Sequence, residues 1–75
     1  MATTYIALGP NAWGKAPTLA KAKKVMKEYC YLHGKQPYVV LRVEGEFLGI
    51  NTLHGDVRYN GTCEEVEKGT FMARG

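Results

Sequence analysis

The chain has 75 residues, 45% of them hydrophobic, and a net charge of +3 from ten Lys and Arg against seven Asp and Glu. This apolar fraction predicts a folded core and argues against a disordered chain, and the length predicts a single domain over residues 1–75. No run of about 20 apolar residues is present, so we expect no membrane helix. No signal peptide is recognisable, so we expect a cytoplasmic protein with reduced cysteines.

The charges are unevenly distributed along the chain. Residues 1–43 contain seven Lys and Arg and one acid, whereas residues 44–75 contain three Lys and Arg and six acids. The first part is therefore net +6 and the second net −3. This asymmetry predicts a basic face, which could attract an acidic protein or a nucleic acid.

The first predicted element is a strand over residues 3–8, T-T-Y-I-A-L, because β-branched and aromatic residues favour strands. Gly9-Pro10-Asn11 ends it. Residues 9–15, G-P-N-A-W-G-K, then come close to the phosphate-binding pattern G-x-x-x-x-G-K-[ST]. Ala16 stands where the magnesium-binding hydroxyl belongs, so we do not expect nucleotide hydrolysis.

Two interpretations of residues 9–18 remain open. In one, Gly14, Lys15 and Thr18 bind phosphate at the start of the following helix. In the other, the glycines shape a turn and Trp13 covers the core.

One resemblance concerns the same region. The pattern Trp13-Gly14-Lys15-x-x-Thr18-Leu19-x-x-Ala22 resembles a strand-to-helix junction of small phage-encoded proteins. The small size and basic α+β character also resemble phage inhibitors of host defence. The resemblance implies an accessory protein that acts by binding, and it assigns no role to individual residues.

Residues 19–33 have the periodicity of a helix, with Thr18 as N-cap and Gly34 as C-terminal stop. At 100° per residue, one side of this helix collects Leu19, Ala22, Val25, Met26, Tyr29, Cys30, Leu32 and His33. The opposite side collects Lys21, Lys23, Lys24, Lys27, Glu28 and Tyr31. We therefore predict an amphipathic helix that packs on a sheet.

Residues 37–53 are predicted to form a hairpin with Glu44-Gly45 as its turn. A second turn is predicted at His54-Gly55-Asp56, followed by a short strand over residues 57–59. Asn60-Gly61 then predicts another hairpin turn into a strand over residues 62–66, in preference to a short helix over residues 62–68.

The predicted fold is therefore α+β, with one amphipathic helix on a mainly antiparallel sheet of three to five strands, in the order β-α-β-β-β-β. In the predicted register the core face carries Val39, Leu41, Val43, Leu48 and Ile50. The outer face carries Tyr38, Val40, Arg42, Phe47 and Asn51.

No pattern of catalytic or metal-binding residues stands out. Cys30, His33, His54 and Cys63 lack the paired spacing of a zinc site. We expect no enzyme activity, no cofactor and no metal.

The sequence thus favours a small binding protein, with an inhibitor as one form. Partner binding is predicted at the outer-face residues Tyr38, Val40, Arg42 and Phe47, with steering by Lys21, Lys24 and Lys27. The partner could be a host protein or a second copy in a homodimer. Nucleic acid is the first alternative, because aromatic residues with Arg also suit stacking on bases. In a further alternative, the chain's own tail with Val66, Phe71 and Met72 covers this face.

Overall fold

The computed structural model of the chain describes residues 3–51 and 56–73. Within them the elements are β1 (Thr3–Leu8), β2 (Trp13–Ala16), α1 (Leu19–Tyr29), β3 (Gly34–Asn51) and β4 (Asp56–Ala73). The strands form one antiparallel sheet in the order β2-β1-β3-β4. The predicted α+β class, with one helix and three to five mainly antiparallel strands, is confirmed.

The element order differs from the prediction because β1 continues into a hairpin. The Gly9 N–H donates to the Ala12 carbonyl at 2.7 Å, and Pro10 and Asn11 lie at the tip. From there β2 runs back along β1, with Trp13 opposite Leu8. The predicted loop from β1 straight into the helix is therefore wrong.

The predicted start of α1 is confirmed, but its predicted end is not. Thr18 is the N-cap, and its hydroxyl accepts a hydrogen bond from the Lys21 N–H at 3.3 Å. The helix ends at Tyr29 because Cys30 takes an extended conformation and buries its side chain in the core. Gly34, with φ +83°, opens β3 instead of stopping the helix.

The two predicted turns at residues 44–45 and 60–61 are wrong, because both lie inside long strands. Gly45 pairs with Gly61 across the β3–β4 ladder. The predicted turn at residues 54–56 falls partly outside the described residues. Residues 62–66 form part of a strand, which confirms the prediction of a strand in preference to a short helix.

The paired glycines make a corner in this long hairpin. A straight 18-residue strand would be about 56 Å long, whereas the longest dimension of the molecule is 38 Å. Gly45 and Gly61 have φ of +129° and +119°. A Cβ atom would lie 2.2 Å from the Asn60 oxygen at Gly45, and 2.0 Å from the Glu44 oxygen at Gly61. Glycine is therefore required at both positions of the bend.

One face of the sheet packs against α1. Its core contains Ala7, Ala16, Ala22, Met26, Cys30, Val40, Phe71 and Ala73. The helix backbone lies directly over Gly14, where a Cβ atom would be 2.6 Å from the Met26 nitrogen. Close packing of α1 on β2 therefore accounts for this glycine.

The other face is covered by the outer half of the same hairpin, which we term the distal arm (residues 46–51 and 56–60). Val39 and Phe47 are eight residues apart, about 26 Å along a straight strand. Yet the Phe47 ring lies 6.2 Å from the ring of Trp13, whose cross-strand neighbour Leu8 also pairs with Val39. The distal arm therefore folds back over this face. Ile6 and Val43, which point away from α1, are fully buried.

Candidate functional site

The four residues of the predicted outer face lie on two different faces of the sheet. Tyr38, Val40 and Arg42 point toward the α1 side, as the burial of Val40 in the helix-side core shows. Phe47 points to the opposite side, because without a turn at residues 44–45 it is five positions from Arg42 in one strand. The predicted placement of all four on one uncovered face is wrong.

Tyr38 belongs to a polar cluster that ties α1 to β3 and β4. Its hydroxyl donates to the Glu67 carboxylate. The Lys23 Nζ lies 2.6 Å from Glu67 Oε2 and 5.1 Å from the Tyr38 ring centre. Hydrogen bonds from Lys23 and then Tyr38 lower the pKa of Glu67 below 4.5. The Glu67 hydrogen bond raises the pKa of Lys23 above 10.5.

Arg42 and Phe47 also make contacts within the chain. Arg42 forms an ion pair with Glu64, and its Nε lies 3.4 Å from Glu44. Phe47 contacts Trp13 and lies 5.0 Å from the Lys15 Nζ. The positive charge of Arg42 is thus compensated, and the Phe47 ring serves to cover the sheet.

The predicted cover of the outer face by the tail is wrong, because β4 pairs with β3 in the same sheet and leaves Val66 exposed. Phe71 is buried beside Tyr38, with ring centres 6.1 Å apart. Met72 points the other way and is 73% exposed. The C-terminal half of β4 therefore covers Tyr38 from the side, as the next strand in the sheet.

The three predicted steering lysines do lie together. Lys21, Lys24 and Lys27 are exposed and follow one another at intervals of three residues on α1. We term this surface the lysine face. Lys24 and Lys27 line a shallow groove of about 450 Å³ together with Ala20, Lys23 and Glu28. The Lys27 Nζ also lies 5.8 Å from the Phe71 ring centre.

The three residues of the phosphate-binding alternative do not converge. Gly14 is covered by α1, whereas Lys15, the next residue of β2, points to the other face toward Phe47. The Thr18 hydroxyl is engaged in capping α1. The geometry therefore contradicts the alternative in which Gly14, Lys15 and Thr18 bind phosphate together.

The cysteines give no sign of a reactive or metal site. Cys30 is buried, and burial raises the pKa of the Cys63 thiol above 9.0, which disfavours the thiolate. No group of three His, Cys, Asp or Glu residues suited to a metal ion occurs within residues 3–51 and 56–73. His54 lies outside these ranges.

Sequence reasoning missed the exposed edge of β2. Beside this edge lies a groove of about 420 Å³, lined by Trp13, Gly14, Lys15, Val25 and Tyr29. The side chain of Tyr29 is 61% exposed there. The available signal was the alternation of residues 13–16, in which large Trp13 and Lys15 alternate with small Gly14 and Ala16.

No protein-family model, curated protein or solved structure matches this chain. The resemblance to phage proteins therefore stays a prediction. In the part of the chain that the structure describes, no helix is long and apolar enough to span a membrane.

Proposed function

We propose that the chain is a small non-enzymatic binding protein that occupies an acidic surface of a protein partner through its lysine face. The observation that carries the proposal is that some basic side chains form ion pairs within the chain, whereas those of the lysine face are exposed. Lys23 and Arg42 form ion pairs with glutamates of the sheet, whereas the lysine face is exposed on α1. A cluster of exposed like charges raises the association rate with an oppositely charged surface.

In this proposal α1 acts as an amphipathic helix. Ala22 and Met26 hold its inner side against the sheet, and the contact with Gly14 fixes the position of its backbone. The backbone beneath the lysine face is therefore held in place before a partner binds. Less conformational entropy of this chain is then lost on binding.

The nature of the partner is part of the same proposal. We favour a host protein in the cytoplasm that is inhibited when its acidic surface is covered. A protein target is favoured over nucleic acid because Tyr38 and Phe47 lie on opposite faces and offer no common platform for stacking bases.

The test is a pull-down from nuclease-treated lysate of the cells that produce the protein naturally, with two charge-reversal variants. One variant is Lys21→Glu/Lys24→Glu/Lys27→Glu. The matched control is Lys35→Glu/Arg58→Glu/Lys68→Glu, which changes the net charge equally at exposed positions elsewhere. We expect a protein retained by the wild type and the control, and lost with the lysine-face variant.

Two outcomes would contradict the proposal. The first is equal capture of that protein by both variants, which would remove the lysine face from the interaction. The second is that a lysate not treated with nuclease yields only nucleic acid and no protein. The affinity of the chain for that nucleic acid would then fall steeply as the salt concentration rises. The alternative of a homodimer would appear in sedimentation as self-association of the wild type that persists in the lysine-face variant, because two lysine faces carry like charges and repel each other.

A further inference from the structure

The outer edge of β2 has backbone groups that the sheet does not use. The Gly9 N–H to Ala12 carbonyl bond makes these two residues a hydrogen-bonded pair. Hydrogen-bonded and non-hydrogen-bonded pairs alternate along an antiparallel ladder. Gly14 therefore bonds to β1, while the N–H and C=O groups of Trp13 and Lys15 point outward.

The groove beside this edge lies between β2 and α1. Val25 and Tyr29 of α1 form one wall of the groove, and Trp13, Gly14 and Lys15 form its floor. A strand added at this edge would alternate its side chains between the two faces. A residue across from Gly14 would face Val25 and Tyr29, and a residue across from Lys15 would share the face of that ammonium group.

The other edge of the sheet is less suited to pairing. β4 carries Glu64 and Glu65 there, and the register shift between Val40 and Leu41 leaves Val66 as an extra residue. Charges and bulges both protect an edge strand against pairing. The exposed edge of β2 is short, but within its four residues the ladder has no register shift.

The β2 strand of a second copy does not fit the edge of β2. In an antiparallel pairing of two β2 strands, both α1 helices would lie on the same face. Adjacent strands are about 4.8 Å apart, whereas packed helices need about 8–10 Å between their axes. Because α1 sits directly over Gly14, the two helices would collide.

We infer that the edge of β2 accepts an extended segment of a protein partner as a fifth strand. The segment carries an acidic side chain across from Lys15 and a small apolar side chain across from Gly14. Backbone hydrogen bonds to Trp13 and Lys15 hold it, and the charge of Lys15 selects its sequence. The inference rests on the proposed function only in taking the partner to be a protein.

The test is an NMR titration of the ¹⁵N-labelled full chain with a blocked six-residue peptide that alternates Glu and Val. A peptide with three Glu followed by three Val is the composition control. We expect exchange of the Trp13 and Lys15 amide protons to slow about tenfold on saturation, as amides that gain a hydrogen bond do. The control peptide should leave both amides unchanged.

Three variants separate the backbone from the charge. Lys15→Pro removes the outward N–H and the charge, and should weaken the alternating peptide about tenfold. Lys15→Met removes only the charge, and should weaken it about threefold. Lys68→Pro makes the matched change at an outward position of β4, opposite Val39, and should alter the affinity by less than about twofold.

The inference is overturned if both peptides bind alike, or if the alternating peptide leaves the Trp13 and Lys15 amides unprotected. If Lys15→Pro does not fold, two measurements still test the inference. They are the amide protection of the wild type and the peptide affinity of Lys15→Met. Charge reversal of the lysine face tests the proposed function separately. Partner capture that depends on the lysine face but not on Lys15 would refute only the strand site.

Discussion

The two faces of the sheet are covered by different means. On one face α1 packs its backbone against Gly14 and inserts Met26 into the core. On the other, the distal arm folds back through the corner at Gly45 and Gly61 and places Phe47 on Trp13. The first cover depends on close packing, whereas the second depends on backbone conformation at two residues. The two should therefore fail under different substitutions.

The largest effect is expected on the helix-covered face. Gly14→Val would place atoms within 2.6 Å of the Met26 nitrogen and 2.8 Å of the Ala22 oxygen. Neither backbone group can yield without moving α1, so we expect a loss of about 4 kcal/mol in the free energy of unfolding. Urea denaturation measures it, with Ala20→Val at an exposed helix position as the control. A loss below about 1 kcal/mol would show that α1 does not pack closely on β2.

The next effect is expected at the corner. In Gly45→Ala the new side chain is strained by the φ of +129° and its Cβ atom would lie 2.2 Å from the Asn60 oxygen. We expect the free energy of unfolding to fall by about 3 kcal/mol. We expect the Trp13 fluorescence to report an opened distal arm while the helical circular dichroism persists. Loss of both signals together would mean that the two covers are not separable.

A smaller effect distinguishes two neighbours in the distal arm. Phe47 packs on Trp13, whereas Leu48 is the extra residue of a register shift and is 54% exposed. Phe47→Ala should cost about 2 kcal/mol, and Leu48→Ala less than about 0.5 kcal/mol. Equal effects in urea denaturation would contradict the folded-back arm.

The smallest effect concerns the polar cluster of Lys23, Tyr38 and Glu67, and it depends on pH. Because the pKa of Glu67 lies below 4.5 in the folded chain, its stabilisation is present above that pH. It is lost as pH falls through the lowered pKa. The raised pKa of Lys23 makes its contribution to stability depend on pH in the opposite direction. That contribution is present at neutral pH and is lost only as the pH rises above 10.5.

Glu67→Gln should therefore lower the urea midpoint at neutral pH, and its difference from the wild type should shrink at about pH 3. Glu65→Gln serves as the control, because Glu65 points away from α1 across from Leu41. A difference that persists unchanged in acid would assign the effect of Glu67 to packing.

Local signals in the sequence predicted β1 and the start of α1 correctly. A β-branched run and a Thr N-cap act through neighbouring residues, so the rest of the fold cannot easily override them. Gly45 and Gly61 were ambiguous, because glycine with positive φ suits a turn and a strand corner equally. Their pairing depends on contacts 16 residues apart, which no local window contains.

The misplaced turn at residues 44–45 also explains the error in the candidate site. It reversed the side-chain alternation beyond Gly45 and put Phe47 on the face of Tyr38. A signal against that interpretation was the run Y-V-V-L over residues 38–41, which is apolar at four consecutive positions. Such runs are typical of strands buried on both faces. The lysine face was predictable because helical spacing alone places its members together.

Within residues 3–51 and 56–73 both faces of the sheet are covered, and we therefore place the proposed partner contacts on the lysine face and the edge of β2. The account therefore depends on the position of the distal arm, and a nuclear Overhauser spectrum of the labelled protein tests it most directly. It predicts cross-peaks between the Trp13 indole and the Phe47 ring, and between Phe47 and the Lys15 side chain. Absence of both cross-peaks in the folded protein would contradict it.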